Sequence, residues 1–295
     1  MKQLFCLGQR EKRILECATV IDNFAEEMIN RIRAEATSAS NEEKDDVITR
    51  YINYAATSNK IYGGEKAPTN KELRDVVMNF ILAGRDSTAC ALSWTMYELT
   101  RHPQWMNKIR EEALLICGMK EGTGEGRYDV KQIGKLKITH AVVMEALRLH
   151  PPVAEDFKFA VGDDILPDGT KIPAGACVMY SPYSINRNDN VWGNIDNKYP
   201  VDEFCPERFF NRLDPSTFTF PTFNAGQRTC PGKSLALMEV KMILAYLLLR
   251  YDFEDTEGHD GKFLFTLVMS MKGGFPLKVK KRSNVILETK CSGFY

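Results

Sequence analysis

The segment from Thr69 to His102 constrains this chain more than any other. It opens with Thr69-x-x-Glu72, the spacing at which a threonine hydroxyl and a glutamate carboxylate cap each other's backbone N–H groups, and it stops at His102-Pro103. The residues between predict one helix roughly 48 Å long at ~1.5 Å per residue. From Val76 to Met96 the apolar residues point in nearly every direction, which predicts that the helix runs through the protein centre. Ala83-Gly84-Arg85-Asp86-Ser87-Thr88 interrupts that run. A carboxylate and two hydroxyls are costly inside an apolar core unless they are paired or used. Gly84 weakens the helix, and the hydroxyls can bond back to carbonyls, so a local distortion is expected. Two readings of Asp86 stand: it pairs with a neighbour, or it does chemistry.

Around this helix the pattern is mainly α with a small, late β portion. Apolar residues at helical spacing (Ile14, Ala18, Ile21, Phe24, Met28, Ile32) predict a helix over Ile14–Arg33. Ser38–Asp45 reads as a polar linker, a short helix is expected from Asp46, and Gly63–Pro68 as a loop. Helices are predicted from Pro103 to Cys117-Gly118, over Ile138–His150 ahead of Pro151-Pro152, and from about Pro231 to Arg250. A turn at Pro167-Asp168-Gly169, flanked by β-like stretches at Ile165 and Ala176–Tyr180, and the alternation Leu277-Lys278-Val279-Lys280 supply the strands.

Charge and cysteine usage exclude several classes. Lys plus Arg and Asp plus Glu are 39 each, so no global field favours nucleic acid. The eight cysteines include no C-x-x-C pair, and there are four histidines, which argues against zinc modules. The size of the chain and its regular helices favour reduced thiols. No apolar run, Met242–Leu249 being the strongest, is long enough to span a bilayer.

Phe223-Asn224-Ala225-Gly226-Gln227-Arg228-Thr229-Cys230-Pro231-Gly232 carries the strongest chemical signal. One cysteine stands before a helix with Pro231 in the favoured first helical position. N–H groups and the helix dipole there favour an anion, so Cys230 is expected as a thiolate. Gly226 and Gly232 would let the backbone approach a flat ligand, and Arg228 could pair with a carboxylate. By chemistry alone, a buried cysteine in a glycine-rich loop fits equally well. Glu145-Ala146-Leu147-Arg148 places an acid and a base on one helix face, where a surface ion pair is the commoner outcome.

Taken together, these segments resemble the cytochrome P-450 family, in the family's own order. The ten-residue segment is similar to its haem-binding signature Phe-x-x-Gly-x-Arg-x-Cys-x-Gly, with Phe223, Gly226, Arg228, Cys230 and Gly232 at the five fixed positions. Glu145 and Arg148 resemble its Glu-x-x-Arg motif, and Pro206-Glu207-Arg208-Phe209 its partner motif. Ala83–Thr88 resembles its oxygen-activation motif, with Ser87 where threonine is more usual. The resemblance implies the C-terminal part of the P-450 fold, with the long central helix, the Glu-x-x-Arg helix and the cysteine-ligand loop and helix, as a single truncated domain over residues 1–295. It implies haem b, with Cys230 as the thiolate ligand to iron and Arg228 on a propionate. Phe223, Gly226, Gly232, Ala83, Gly84 and Lys158 would complete the cofactor contacts. The thiolate pushes electron density that favours O–O cleavage. Asp86 and Ser87 would relay protons. Glu145, Arg148 and Arg208 would form a buried structural network.

Ile165–Pro173 resembles the branch of plant-type fatty-acid omega-hydroxylases. That implies a monooxygenase acting on a lipid-like chain near its far end; the alternative is a truncated, non-catalytic haem-binding remnant. Phe80, Ala83, Gly84 and Val153 are expected to form a narrow apolar approach. Met269, Met271 and Phe275 face either substrate or plain core. A full-length relative would sit on the cytosolic face of the endoplasmic reticulum membrane, whereas a chain without the anchor would be cytoplasmic. An NADPH-dependent diflavin reductase would supply electrons. Lys131, Lys135 and Lys137, with Lys233 and Lys241, form either a docking face for an acidic donor or an ordinary solvated surface.

Overall fold

The structure is a computed structural model that describes residues 8–37, 69–117, 129–193, 199–210, 214–256 and 258–282. The linker, short helix and loop expected between Ser38 and Pro68 lie outside the described residues. The chain divides into two compact units, with the boundary between Arg85 and Asp86.

The first unit holds α1 (Gln9–Thr37) and the start of α2 (Asn70–Arg101). The capping box that opens α2 is formed: Thr69 N donates to Glu72 Oε2 at 2.7 Å and Glu72 N to Thr69 Oγ1 at 3.2 Å. Those bonds hold the Glu72 carboxyl below its usual pKa. Arg74 reaches Asp22 at 3.2 Å. Ala25 and Ile29 on α1, and Leu73 and Val77 on α2, are buried, each pair one turn apart.

The middle of α2 corrects two expectations. Phe80, Ile81 and Leu82 are exposed, as are Ala83, Gly84, Arg85 and Asp86, and after Val77 the next buried residue is Cys90. An all-round apolar sequence states what a helix can bury, while burial itself depends on what is packed around it. The helix also runs unbroken through Gly84. Backward hydroxyl bonds do occur, Ser93 to Ala89 O at 2.8 Å and Thr95 to Ala91 O at 2.7 Å, but they leave the helix continuous.

The second unit is built on α5 (Lys137–Leu149), whose residues 141–149 are all buried. It packs against α3 (Pro103–Cys117) and α8 (Lys233–Arg250). Two buried charges make that junction. Leu136, at the start of α5, offers no cap, so the Glu112 carboxylate on α3 accepts from Ile138 N at 2.7 Å and Thr139 N at 2.8 Å. Lys241 on α8 donates to Ile133 O at 2.9 Å beside α4 (Val130–Gly134), which opens with its own capping box at Asp129. Burial pushes the Lys241 ammonium below its usual pKa. Lys241 therefore belongs to the core and not to a surface lysine face.

The β portion is four separate two-stranded antiparallel ribbons. β1 (Asp156–Phe159) pairs with β4 (Cys177–Tyr180), and β2 (Asp164–Ile165) with β3 (Lys171–Ile172). β5 (Tyr251–Asp255) pairs with β8 (Leu277–Lys281), and β6 (Phe263–Phe265) with β7 (Met269–Met271). Two short helices, α6 (Pro182–Ile185) and α7 (Asp189–Trp192), follow β4. Met269 and Met271 are buried with Cys90, Trp94 and Ala154, and Phe275 packs on the same cluster, so these three are core. Met269 O accepts from Trp94 Nε1 at 2.7 Å and from Cys90 Sγ at 3.0 Å, and burial pushes that thiol up to about 12. Cys17, Cys90, Cys177, Cys205 and Cys230 are unpaired thiols.

Candidate functional site

The Cys230 segment folds as a closed loop. Cys230 N donates to Phe223 O at 2.8 Å, joining its two ends. Between them lie a left-turning Asn224 (φ 61°), Gly226 (φ 62°) and a 3-10 turn over Gly226–Arg228. Gly226 supplies a backbone conformation that a side chain would resist. Thr229 Oγ1 donates to Gly226 O at 2.8 Å. Pro231 falls in a turn, Gly232 is the N-cap, and α8 starts at Lys233, two residues later than expected. Cys230 is half-buried in front of that helix, and a Cβ added at Gly232 would lie 3.8 Å from its Sγ.

Several sequence-derived candidates surround this loop. Phe223 is half-buried and packs on the main core. Arg228 is exposed and makes no ion pair with any described residue. Lys158, on β1, is engaged: its Nζ lies 2.6 Å from Asp156 Oδ2. The same carboxylate oxygen accepts from Tyr180 Oη at 2.7 Å and from Asn224 Nδ2 at 3.0 Å. Burial raises the Asp156 pKa, but Lys158, Tyr180 and the Phe157 N–H outweigh it and hold the group below its usual value.

Glu145, Arg148 and Arg208 come together in the core. Arg148 Nε lies 2.8 Å from Glu145 Oε2 and its Nη2 2.8 Å from Oε1, a bidentate pair with both side chains 0% exposed. Arg208, from the 3-10 turn Pro206–Phe209, approaches Glu145 Oε1 at 3.5 Å, and Cys205 N donates to that oxygen at 3.0 Å. The remaining guanidinium donors reach backbone carbonyls: Arg148 to Asn186 and Val201, Arg208 to Trp192, Tyr199 and Pro200. Burial lowers the Arg208 pKa, with Glu145 acting against it. The alternative of a surface ion pair is therefore ruled out by burial.

The segment Ala83–Thr88 crosses the boundary between the two units. Asp86 is exposed and Ser87 half-exposed in the second unit, while Ala83 and Gly84 are exposed in the first. A Cβ added at Gly84 would meet nothing within 4 Å. Phe80, in the first unit, is exposed, as is Val153, in the second. Lys131, Lys135 and Lys137 are exposed, and Lys233 pairs with Asp214 at 2.7 Å.

Two buried features have no counterpart in the sequence motifs. One is the Glu112 cap. The other joins Glu98 on α2 to His150 at 2.7 Å, with His150 stacked on Trp94 at 4.1 Å between ring centroids. Burial lowers the His150 pKa, Glu98 opposing it. Their only sequence signal is a charged residue at an apolar position of a helix.

The family model described as Cytochrome P450 matches residues 2–279. The chain is a member of the cytochrome P450 family. It is 34% identical to cytochrome P450 94C1 of Arabidopsis thaliana, over 96% of this chain and 54% of that protein. It is 32% identical to the alkane hydroxylase MAH1 of Arabidopsis thaliana, over 94% of this chain and 53% of that one. A third relative, cytochrome P450 94A1 of Vicia sativa, is 30% identical over 96% of this chain and 52% of its own length. The chain thus spans about half the length of the curated relatives it matches. The mainly helical fold with small β ribbons agrees with a C-terminal portion of a P450 domain.

Haem is the family's cofactor. The residues present suit it. Cys230, half-buried in front of α8, would offer one thiolate to the haem iron. Gly226 leaves open space beside the loop, and the exposed Arg228, which pairs with no carboxylate among the described residues, would suit a propionate. No described helix is long and apolar enough to cross a membrane.

Proposed function

We propose that this chain carries the haem-thiolate centre of a monooxygenase that inserts one atom of O2 into an extended lipid-like substrate, a fatty acid or related chain, at or near its far end. The observation that carries this reading is the closed Phe223–Cys230 loop, which holds one half-buried thiol in front of α8. Bound through a thiolate, haem supplies activation of O2. Cys230 Sγ would be the ligand, Arg228 Nη would pair with a propionate, and Gly226 and Gly232 would let the loop backbone approach the ring. Phe223 and Lys158, in the same unit, would add to the cofactor contacts. The Asp86 carboxylate and Ser87 hydroxyl hold and pass protons. Glu145, Arg148 and Arg208 anchor the polypeptide and touch no substrate.

The substrate class rests on Ile165–Pro173 and on the likeness to a protein named as an alkane hydroxylase. Electrons come from an NADPH-dependent diflavin reductase, and the working location is the cytosolic face of the endoplasmic reticulum.

The test is spectroscopic. The purified chain, loaded with haem, reduced and exposed to carbon monoxide, should give a thiolate-ligated spectrum, and Cys230→Ala should not. A thiolate spectrum that survives in Cys230→Ala would end the assignment. Titration with fatty acids, alkanes and sterols, following the low- to high-spin change, separates the substrates. A response to sterols alone would overturn the chain-like substrate.

A further inference from the structure

The Cys230 loop begins with a backbone conformation that its residue resists. Asn224 has φ 61° and ψ −179°, a region that is comfortable for glycine and for almost nothing else. It comes directly after Phe223, whose carbonyl closes the loop by accepting from Cys230 N at 2.8 Å. A residue held there decides whether the chain leaves Phe223 in the direction that brings Cys230 back.

The Asn224 side chain is fixed on both ends. Its Oδ1 accepts from Ala225 N at 2.8 Å, inside the loop, and lies 2.8 Å from Tyr180 Oη. Its Nδ2 donates to Asp156 Oδ2 at 3.0 Å. Asp156 and Tyr180 are cross-strand partners on the β1–β4 ribbon, so one register pair grips the amide. Tyr180 has a single proton to donate, to Asp156 or to Asn224. Burial and then Asp156 push its phenol up to about 12, so it remains a donor at neutral pH. All four residues lie in the second unit.

We propose that Asn224 is a positioning residue for the Cys230 sulfur, pinned by Asp156 and Tyr180 so that the ligand loop is formed before anything binds in it. What the loop is for rests on the haem-thiolate reading; how it is held does not. Lys158 shares Asp156 Oδ2 at 2.6 Å, so it braces the same carboxylate from the other side.

The experiment is amide hydrogen exchange on the full haem-free chain, read at Cys230 and across α8, in wild type, Tyr180→Phe, Asn224→Ala and Asn224→Gly. Tyr180→Phe keeps the ring and deletes one bond, and exchange at Cys230 should rise about tenfold while α8 stays unchanged. Asn224→Ala should exchange faster than Asn224→Gly, because alanine loses the clamp and keeps the Cβ that opposes a positive φ. Wild-type rates in both Tyr180→Phe and Asn224→Ala, or equal rates for alanine and glycine, would overturn the proposal. So would an α8 that loosens in step with Cys230, since the ribbon would then be a general stabiliser. Haem-loaded Tyr180→Phe should also show a smaller thiolate-ligated fraction in its reduced carbon-monoxide spectrum. A wild-type chain that takes up no haem would end the functional reading, while the exchange data would still decide how the loop is held.

Discussion

The Glu145 clamp and the Cys230 loop use the same materials to opposite ends. In the clamp, both Glu145 oxygens are bonded, Arg148 and Arg208 spend their guanidinium donors on carbonyls of residues 186–203, and Glu145 and Arg148 are wholly buried. In the loop, the backbone is closed just as firmly at Phe223–Cys230, but the thiol is half-buried and Arg228 stands in solvent with no ion-pair partner among the described residues. A fully satisfied buried network fixes geometry and leaves nothing to react. A closed loop with uncommitted side chains fixes geometry and leaves the chemistry available.

Breaking the clamp should produce the largest effect. Arg148→Ala strips the buried Glu145 of its bidentate partner and leaves it only Arg208 at 3.5 Å and Cys205 N, which costs about 3–5 kcal/mol. Urea denaturation should show that loss directly, or the variant should fail to accumulate as a folded chain. A variant as stable as wild type would mean that the clamp is ornamental. Glu112→Ala comes next. It strips the start of α5 of the acceptor for Ile138 N, Thr139 N and the Thr139 hydroxyl, at about 2–3 kcal/mol for donors left unsatisfied. Glu112→Gln, which keeps one oxygen, should lose less.

These two sites differ in how far the sequence discloses them. Glu145 and Arg148 are one helical turn apart, and the capping box Thr69–Glu72 spans four residues, so both can be read locally. Glu112 caps a helix that starts 25 residues further on, and nothing near Leu136 signals it. Lys241 reads as a surface lysine, yet its stem lies in the core and its head finds Ile133 O. β1 escapes a sequence reading because the alternation Asp156-Phe157-Lys158-Phe159 is only four residues long. The exposed centre of α2 marks the same boundary: periodicity gives a helix's appetite for burial, and other elements decide whether it is met.

The His150–Glu98 contact, unlike the clamp, pairs a buried acid with a group that titrates near neutrality. His150 is buried with its pKa lowered, so the unfolded chain takes up a proton more readily than the folded one. Stability from this group is complete above the unfolded value of ~6.5 and is lost as the pH falls through it toward the lower folded value, with a slope of at most about 1.4 kcal/mol per pH unit. His150→Gln should flatten the acid side of a stability–pH curve between about pH 6.5 and the folded value. A curve of unchanged slope would remove His150 as the cause.

Arg228→Ala should have the smallest effect on stability and the most revealing one on function. The side chain is exposed and pairs with no described carboxylate, so its loss should change folding stability by no more than about 0.5 kcal/mol. Arg148→Ala, a change of the same chemistry, should cost several times more, and that contrast separates an arginine that holds the fold from one held in reserve. If Arg228 serves an anionic group of the cofactor, its loss removes a charge-assisted bond of about 1.5–3 kcal/mol, or roughly tenfold or more in haem retention. Transfer of haem to a scavenging apoprotein measures that retention without requiring turnover. Arg228→Lys keeps the charge but not the planar fork and should recover part of the loss. Equal haem retention in Arg228→Ala and wild type would show that the uncommitted cation has another use, and would leave Cys230 as the loop's one contribution to the cofactor.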